Sequence, residues 1–316
     1  MSLKRGLLMI LVLGVTASGK GALAFELARR IGGEIVSIDS MKVYRRMDIG
    51  TAKPSRERRE QVRHHIIDIV EPYDSFSVDQ FLRLAAEATA QIRSAGRPVV
   101  GAGGTALYIK ALLYGIFDGP AANYEIRKKL KAQIAAESTA VLHEQLGRID
   151  PAAAERIHPN DARRIIRALE VYELTGKPIS SFQRQFGADS ALGDWTIIGL
   201  RRPKAVESSR INLRVKKMID QGLVDEVKSL LAEEKPLSKQ ASCAIGYAEV
   251  INHLKGRTTF DEAVERIKIN TRRFAKSQRT WFKTFTEVNW LDVADDEDTE
   301  HLLGRAMQII DSKGGQ

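Results

Sequence analysis

The chain has 316 residues, a formal net charge of +9 and an apolar content of 43%. That allows one large or two small domains with a sizeable core, and the basic excess favours a polyanionic partner. A single cysteine, Cys243, excludes an internal disulfide and a cysteine-built zinc site.

An apolar run from Leu7 to Leu13 leads into Gly14-Val15-Thr16-Ala17-Ser18-Gly19-Lys20-Gly21. The run predicts a buried strand, and Ala22 to Arg30 a helix. That order gathers backbone N–H groups and a helix N-terminus around one point, which suits a phosphate. Gly14 and Gly19-Lys20 have P-loop spacing, but Gly21 stands where a Ser or Thr would hold Mg2+. A plain tight turn is one competing reading. A secretory leader is another, with Lys4 and Arg5 before the apolar run and Ala22-Leu23-Ala24 as a cleavage site. Cleavage would discard Lys20 and the first strand. The run is too short to cross a membrane, and no other long apolar run follows. A cytoplasmic protein is expected.

Glu34 to Ile38 reads as a second strand, ending at Asp39-Ser40. Asp39 fits three roles: a metal-holding acid, a general base, or the N-cap of a short helix. Val43 to Pro54 has little apolar period and reads as a long, functional loop. His64 and His65 are adjacent on an extended segment, so they point opposite ways and no shared metal is expected. Ser77 can N-cap a helix from Val78 to about Ser94. Pro98 to Gly101 reads as a third strand entering Ala102-Gly103-Gly104-Thr105, and a helix follows through Tyr108, Leu112 and Leu113. Strand–helix alternation implies a parallel sheet, whose ligands lie beyond the carboxyl ends of its strands.

After Gly119-Pro120 the periodicity is only helical, from about Asn123 to Phe186, with breaks at Pro151, Pro159 and Pro178. Trp195 to Leu200 reads as a strand, Ala205 to Ser277 as helices, and Val288 to Leu291 as a last strand. The polar end from Asp292 is expected to be peripheral. The expected fold is α/β: a P-loop NTPase-like parallel sheet core over residues 1–120 and 195–316, with C-terminal helices and a helical insertion domain over 121–194.

Arg266, Lys268, Arg272, Arg273, Lys276, Arg279 and Lys283 follow one another with no acid among them. Lys268, Arg272, Lys276, Arg279 and Lys283 share a helical face, while Ile267, Phe274, Trp281 and Phe285 can face the core. Trp281 and Trp290 both read as core. Arg163, Arg164 and Arg167 form a second stripe opposite Ile165, Leu169 and Tyr172. Most charged stripes are solvated faces, but an acid-free run this long favours a nucleic-acid backbone.

The order of these motifs resembles the tRNA dimethylallyltransferases, also called tRNA isopentenyltransferases, of bacterial type. The resemblance rests on Gly14 to Lys20, Asp39-Ser40-Met41, Tyr44, and Met47-Asp48-Ile49-Gly50-Thr51-Ala52-Lys53-Pro54. It continues through Gly103-Gly104-Thr105 with Leu107-Tyr108, then Ile157 to Asp161 with Arg164 and Arg167-Ala168-Leu169-Glu170. Gly222-Leu223, Glu226-Val227, Gly246-Tyr247 and Thr271-Arg272 through Trp281-Phe282 complete it, so it covers nearly the whole chain.

The resemblance implies transfer of a dimethylallyl group from dimethylallyl diphosphate to an adenosine amine beside the anticodon of tRNA. It implies a catalytic set of Asp39, Thr16, Lys20, Thr105 and Arg127, with Asp39 as general base. The diphosphate would lie on Gly14, Val15, Thr16, Ala17, Ser18, Gly19, Lys20 and Gly21, with Arg210 and Arg214 nearby. The tRNA would meet Asp39, Ser40, Met41, Lys42, Arg163, Arg164, Arg167, Arg272, Arg273, Lys276 and Arg279. Mg2+ is the implied cofactor, with no ligand residues assigned, and the chain is expected to be a monomer with no membrane partner.

The chain departs from that pattern. Gly21 replaces Thr or Ser, Val15 replaces Pro, and Lys42 and Arg163 replace Gln. Ala248 and Ser277 stand where basic residues are common. Three other functions remain open: an RNA-binding relative without turnover, a small-molecule P-loop kinase using ATP, and a transferase acting on free adenine nucleotides. The kinase would need the missing hydroxyl, and the last would not need the insertion or the basic face.

Overall fold

The computed structural model describes residues 8–115, 119–182 and 194–314. The chain divides into two compact units, Met1–Leu113 with Leu192–Gln316, and Tyr114–Ala191.

The first part of the larger unit alternates strands and helices: β1 (Met9–Gly14), α1 (Lys20–Ile31), β2 (Glu34–Ile38), α2 (Arg56–Gln61), β3 (His64–His65), α3 (Val78–Ser94), β4 (Val99–Gly103) and α4 (Ala106–Tyr114). Five helices follow: α5 (Tyr124–Ala136), α6 (Thr139–Ile149), α7 (Pro151–Arg156), α8 (Ala162–Thr175) and α9 (Ile179–Phe182). The larger unit then resumes with β5 (Thr196–Arg201), α10 (Lys204–Asp220), α11 (Leu223–Leu231), α12 (Lys239–Ser242) and α13 (Tyr247–Leu254). It closes with α14 (Phe260–Phe282), β6 (Asn289–Asp292) and α15 (Thr299–Gly314).

The strands form one parallel sheet in the order β3-β2-β4-β1-β5-β6. All of β1 is buried, as an interior strand covered on both faces must be, which accounts for its unbroken apolar run. Met9 to Leu13, the described core of the stretch that could be read as a leader, are an interior strand of the sheet; Lys4, Arg5 and Leu7 lie outside the described residues. Register sets the ends of three strands level. Gly103 of β4 pairs with Leu13 of β1 on one side and Ile38 of β2 on the other. The phosphate-type loop, Asp39 and Gly104-Thr105 therefore leave the sheet at one edge.

One face of the sheet is covered by α1 and α15. Leu23, Leu27 and Ile31 pack with Leu302, Leu303, Ala306 and Ile310 against Ile10, Val12, Val100 and Ile198. Burying each such Leu or Ile contributes about 1.5–3 kcal/mol. The polar end of the chain is thus a core helix, contrary to expectation. Its four buried apolar residues fall at i, i+1, i+4 and i+8, flanked by the partly buried Met307 and Ile309, one stripe among polar and charged residues.

Helix α14 buries a line through Ala263, Ile267, Ala275, Gln278 and Phe282. Phe274, expected inside, precedes Ala275 by one 100° step and is 43% exposed. Trp281 and Trp290 are half-buried and not core. Lys110 lies over the ring of Trp281 and Arg201 over that of Trp290.

The helical unit has its own core of Leu130, Leu142, Leu146, Ile165, Leu169 and Val171. Asn123, Ser138, Asp150 and Asp161 cap its helices, and Pro151 opens α7. The fully buried carboxylate of Glu170 accepts from Arg127 Nε and Nη2 at 2.8 and 2.9 Å, Arg167 Nη1 at 2.7 Å and Asn123 N at 2.7 Å. These partners hold it below the usual carboxylate range against the opposing effect of burial. The expected run of helix as far as Phe186 ends outside the described residues.

Candidate active site

The loop after β1 turns too tightly for most side chains. A Cβ on Gly14 would stand 2.7 Å from Ser18 Oγ. Ala17 sits at φ 62° and Gly19 at φ 100°. An alanine in that region costs about 1–2 kcal/mol, a strain typical of binding loops. Ser18 N donates to Val15 O, and no side chain caps α1. The start of α1 therefore offers its dipole and first-turn amides to an anion.

Lys20 opens α1, and its Nζ donates to Val15 O at 3.1 Å. Burial lowers its ammonium pKa to about 7, helped by Arg214 and Lys42 and opposed by Asp39. Lys42 is lowered mainly by burial, with Asp39 opposing and Arg214 adding to the shift. Arg214 is likewise lowered by burial and raised by Asp39. Three desolvated cations thus gather round one carboxylate, a field suited to a dense anion.

Asp39 follows β2 directly. Its Oδ1 accepts from Met41 N at 2.9 Å and Lys42 N at 3.3 Å. It therefore holds the turn into Ser40-Met41-Lys42; no helix begins there, so the reading of Asp39 as the N-cap of a short helix is not met. Its Oδ2 has no hydrogen-bond partner among the described residues and remains free to accept a proton. Thr105 Oγ1 accepts from Ser40 N at 3.0 Å and lies 3.4 Å from Ser40 Oγ. Thr105 thereby ties the turn after β4 to the turn after β2. Tyr108, on α4, has its phenol raised by burial, with Tyr44 and Asp39 adding to the shift.

Three further side chains, from distant segments, hold the loop. Arg202 Nε donates to Ser18 O at 3.0 Å and Arg210 Nε to Ala17 O at 3.0 Å. Of these, Arg210 was expected near the diphosphate and Arg202 was not. Gln278 of α14 accepts from Thr16 N at 2.8 Å. A side chain 262 positions away leaves no trace in local periodicity or charge pattern.

The string Met47 to Pro54 is an internal brace. Lys53 is almost fully buried, and its Nζ donates to Tyr44 O, Asp48 Oδ1 and Asp68 Oδ1 at 2.5–2.6 Å. Glu226 Oε2 accepts from Asp48 N at 2.9 Å and Ile49 N at 2.7 Å. Its Oε1 accepts from Gly50 N at 3.2 Å and the Tyr247 hydroxyl at 2.6 Å. A Cβ on Gly50 would overlap the Tyr247 ring, so the glycine is required for this approach.

Arg163 and Arg164 are exposed on α8, and Arg164 pairs with Asp161. Arg127 and Arg167 are the half-exposed partners of Glu170. On α14, Arg273 and Lys276 are exposed. Arg272 donates to Asn212 Oδ1 at 2.7 Å, while Arg279 pairs with the buried Glu207 of α10. Burial pushes the Glu207 carboxyl up despite Arg279.

Among the described residues, no group of three His, Cys, Asp or Glu side chains could hold a metal ion. His64 Nδ1 faces Val62 O and His65 Nε2 faces Glu34, so the pair is divided as expected. At the loop itself Gly21 brings no hydroxyl, though a Cβ there would meet nothing within 4 Å. Asp39 sits among cations. These residues do not fit a metal held by the protein. No helix among the described residues is long and apolar enough to cross a membrane.

The family profile described as IPP transferase matches residues 42–285, and one described as isopentenyl transferase matches residues 8–70. A tRNA dimethylallyltransferase of Geobacter metallireducens is 46% identical over 284 residues, 90% of this chain and 92% of the relative. The crystal structure of full-length tRNA isopentenylpyrophosphate transferase from Bacillus halodurans aligns with a TM-score of 0.69 at 38% identity, covering 98% of each chain. A eukaryotic dimethylallyltransferase solved acting on tRNA aligns with a TM-score of 0.79 at 25% identity, over 96% of this chain and 79% of that one. With one family profile matching residues 42–285 and a relative 46% identical over 90% of this chain, the chain belongs to the tRNA dimethylallyltransferase family.

Proposed function

We propose that this chain transfers a dimethylallyl group from dimethylallyl diphosphate to the exocyclic amine of the adenosine beside the anticodon of tRNA. The observation that carries this reading is the meeting of Asp39, Thr105 and the Lys20 loop at the level ends of β2, β4 and β1.

The adenine amine is a weak nucleophile because its lone pair is delocalised into the ring. A carboxylate that takes its proton as the new bond forms lowers that barrier. Asp39 is suited to this, with Oδ1 occupied by two amides and Oδ2 left for the amine. The N–C bond forms at the allylic carbon as the C–O bond to diphosphate breaks. The electron pair leaves on the diphosphate oxygen, and the amine proton goes to Asp39. Lys20, Arg210, Arg214 and the loop amides not already paired within the protein, as those of Thr16 and Ser18 are, stabilise the charge that develops there. Thr16 and Thr105 bound the amine, while Arg127, a catalytic candidate by resemblance, is a partner of Glu170 within the helical unit.

Ser40, Met41, Lys42, Arg163, Arg164, Arg167, Arg272, Arg273 and Lys276 are assigned to the tRNA, whereas Arg279, also expected there, is engaged by the buried Glu207. The base is unstacked from a single-stranded loop, where that costs little. Mg2+ would enter with the diphosphate, with no protein ligand assigned. The protein acts in the cytoplasm as a monomer.

The test is incubation with dimethylallyl diphosphate and unmodified tRNA, followed by nuclease digestion and mass detection of prenylated adenosine. Transfer to a free adenine nucleotide instead, or phosphate transfer from ATP, replaces this reading. Binding of tRNA with no turnover marks a relative that has lost the reaction.

A further inference from the structure

Gln278 is the polar member of the buried line of α14, only 3% exposed. A primary amide is buried without loss only when both its ends are paired. Here both partners are backbone groups of the candidate site. Oε1 accepts from Thr16 N at 2.8 Å, and Nε2 donates to Gly104 O at 2.7 Å. One amide thus bridges the loop after β1 and the turn after β4, a residue from Thr105. The space is filled as well. A Cβ on Gly104 would stand 2.5 Å from Gln278 Nε2, 3.3 Å from Lys20 Cε and 3.4 Å from Lys20 Nζ.

The outer side of the same helix carries the exposed Arg273 and Lys276. One rigid element therefore bears a basic surface and the brace of the phosphate-type loop. We infer that Gln278 is a positioning residue: it fixes Thr16 and Gly104-Thr105 in one arrangement and joins α14 to the diphosphate end of the site. The requirement for both a donor and an acceptor is specific. A glutamate accepts from Thr16 N but, when ionised, sets a carboxylate against Gly104 O. A methionine of similar shape makes neither bond.

The kinetic arm rests on the prenyl-transfer reading, and the binding arm does not. Q278E and Q278M are compared with wild type for kcat and KM with tRNA, and for affinity toward inorganic pyrophosphate by calorimetry. A lost brace should lower kcat by about 10–100-fold, since small misplacements near reacting groups act on that scale. KM for tRNA should stay within about twofold, and pyrophosphate should bind more weakly. Lowering pH from about 8 to about 6 should restore Q278E toward wild type, because a protonated, buried Glu regains its donor; Q278M should show no such rescue. In the wild-type protein the Thr16 amide should exchange slowly with solvent deuterium, a reading that holds even if a variant fails to fold. Unchanged kcat and pyrophosphate affinity in both variants, or fast exchange at Thr16, overturns the inference. If wild type makes no prenylated adenosine, the proposed function fails while pyrophosphate affinity and amide exchange still decide the role of Gln278.

Discussion

Lys20 Nζ donates to Val15 O at 3.1 Å, so the phosphate-loop lysine is folded onto its own loop. Burial, with Arg214 and Lys42 adding to it and Asp39 opposing, lowers its pKa to about 7. On the proposed reading, a diphosphate would compete with that carbonyl for Nζ and favour the charged form of the lysine.

Pyrophosphate binding should therefore take up a proton above about pH 7. Apparent affinity should fall as pH rises through that value, by up to about tenfold per unit. Calorimetry in buffers of different ionisation heat reads the uptake directly, and none at about pH 8 contradicts the lowered pKa. Stability has the opposite slope. Between about 7 and the unfolded value of 10.5, the folded chain binds fewer protons than the unfolded one, so stability rises with pH across that window. Lys20→Met should flatten that slope and raise the melting temperature on its acid side.

Asp39→Asn should separate the two uses of this side chain. Asparagine Oδ1 can still accept from the amides of Met41 and Lys42, so the turn should persist. Turnover should fall by about 10²–10⁴-fold while pyrophosphate and tRNA binding stay near wild type. Normal single-turnover rates in this variant would remove Asp39 as the base.

The basic residues of α14 should divide by partner. Arg273→Ala and Lys276→Ala should each weaken tRNA binding and lower the salt slope by about one. Arg279→Ala should instead destabilise the fold by about 1–3 kcal/mol, because Glu207 stays buried without its partner. Filter binding over a salt series and thermal melting distinguish these outcomes. Equal salt slopes for wild type and the Arg273, Lys276 double variant would remove this face from the interface.

Gly21→Thr should be accepted without strain, because a Cβ there meets nothing within 4 Å. A hydroxyl at this position would offer an oxygen to a Mg2+ that enters with the diphosphate. The Mg2+ concentration for half-maximal pyrophosphate binding should fall, with little change in melting temperature. An identical metal dependence in both proteins would mean that this position does not face the metal.

The three strand ends were legible because parallel sheets carry ligands at that edge, and glycines with a lysine mark a phosphate turn. The Asp39 turn and the Thr105–Ser40 contact follow from the same topology. The braces were not legible. Gln278 has no charge and sits among basic residues, so its burial is invisible until α14 is packed. Arg202 looks like any arginine after a strand until its Nε meets Ser18 O. Helix α15 was missed because four apolar residues carry its stripe. The Met47–Pro54 string was recognised for its resemblance, but only the structure reveals that Lys53 and Glu226 brace it from within.

The sheet has a consequence for synthesis on the ribosome. Strand β1 has β4 and β5 as its neighbours, with Leu13 opposite Gly103 and Gly199. At about 5–20 residues per second, β5 is made on the order of ten seconds or more after β1. The helical unit, contiguous in sequence from Tyr114 to Ala191, is made in full in that interval and can fold from local contacts. Meanwhile β1 presents an apolar, unpaired edge, and the loop after it waits longer still for Gln278. A nascent chain stalled before Thr196 should therefore bind holdase chaperones and aggregate when released, although it already contains Lys20, Asp39 and Thr105.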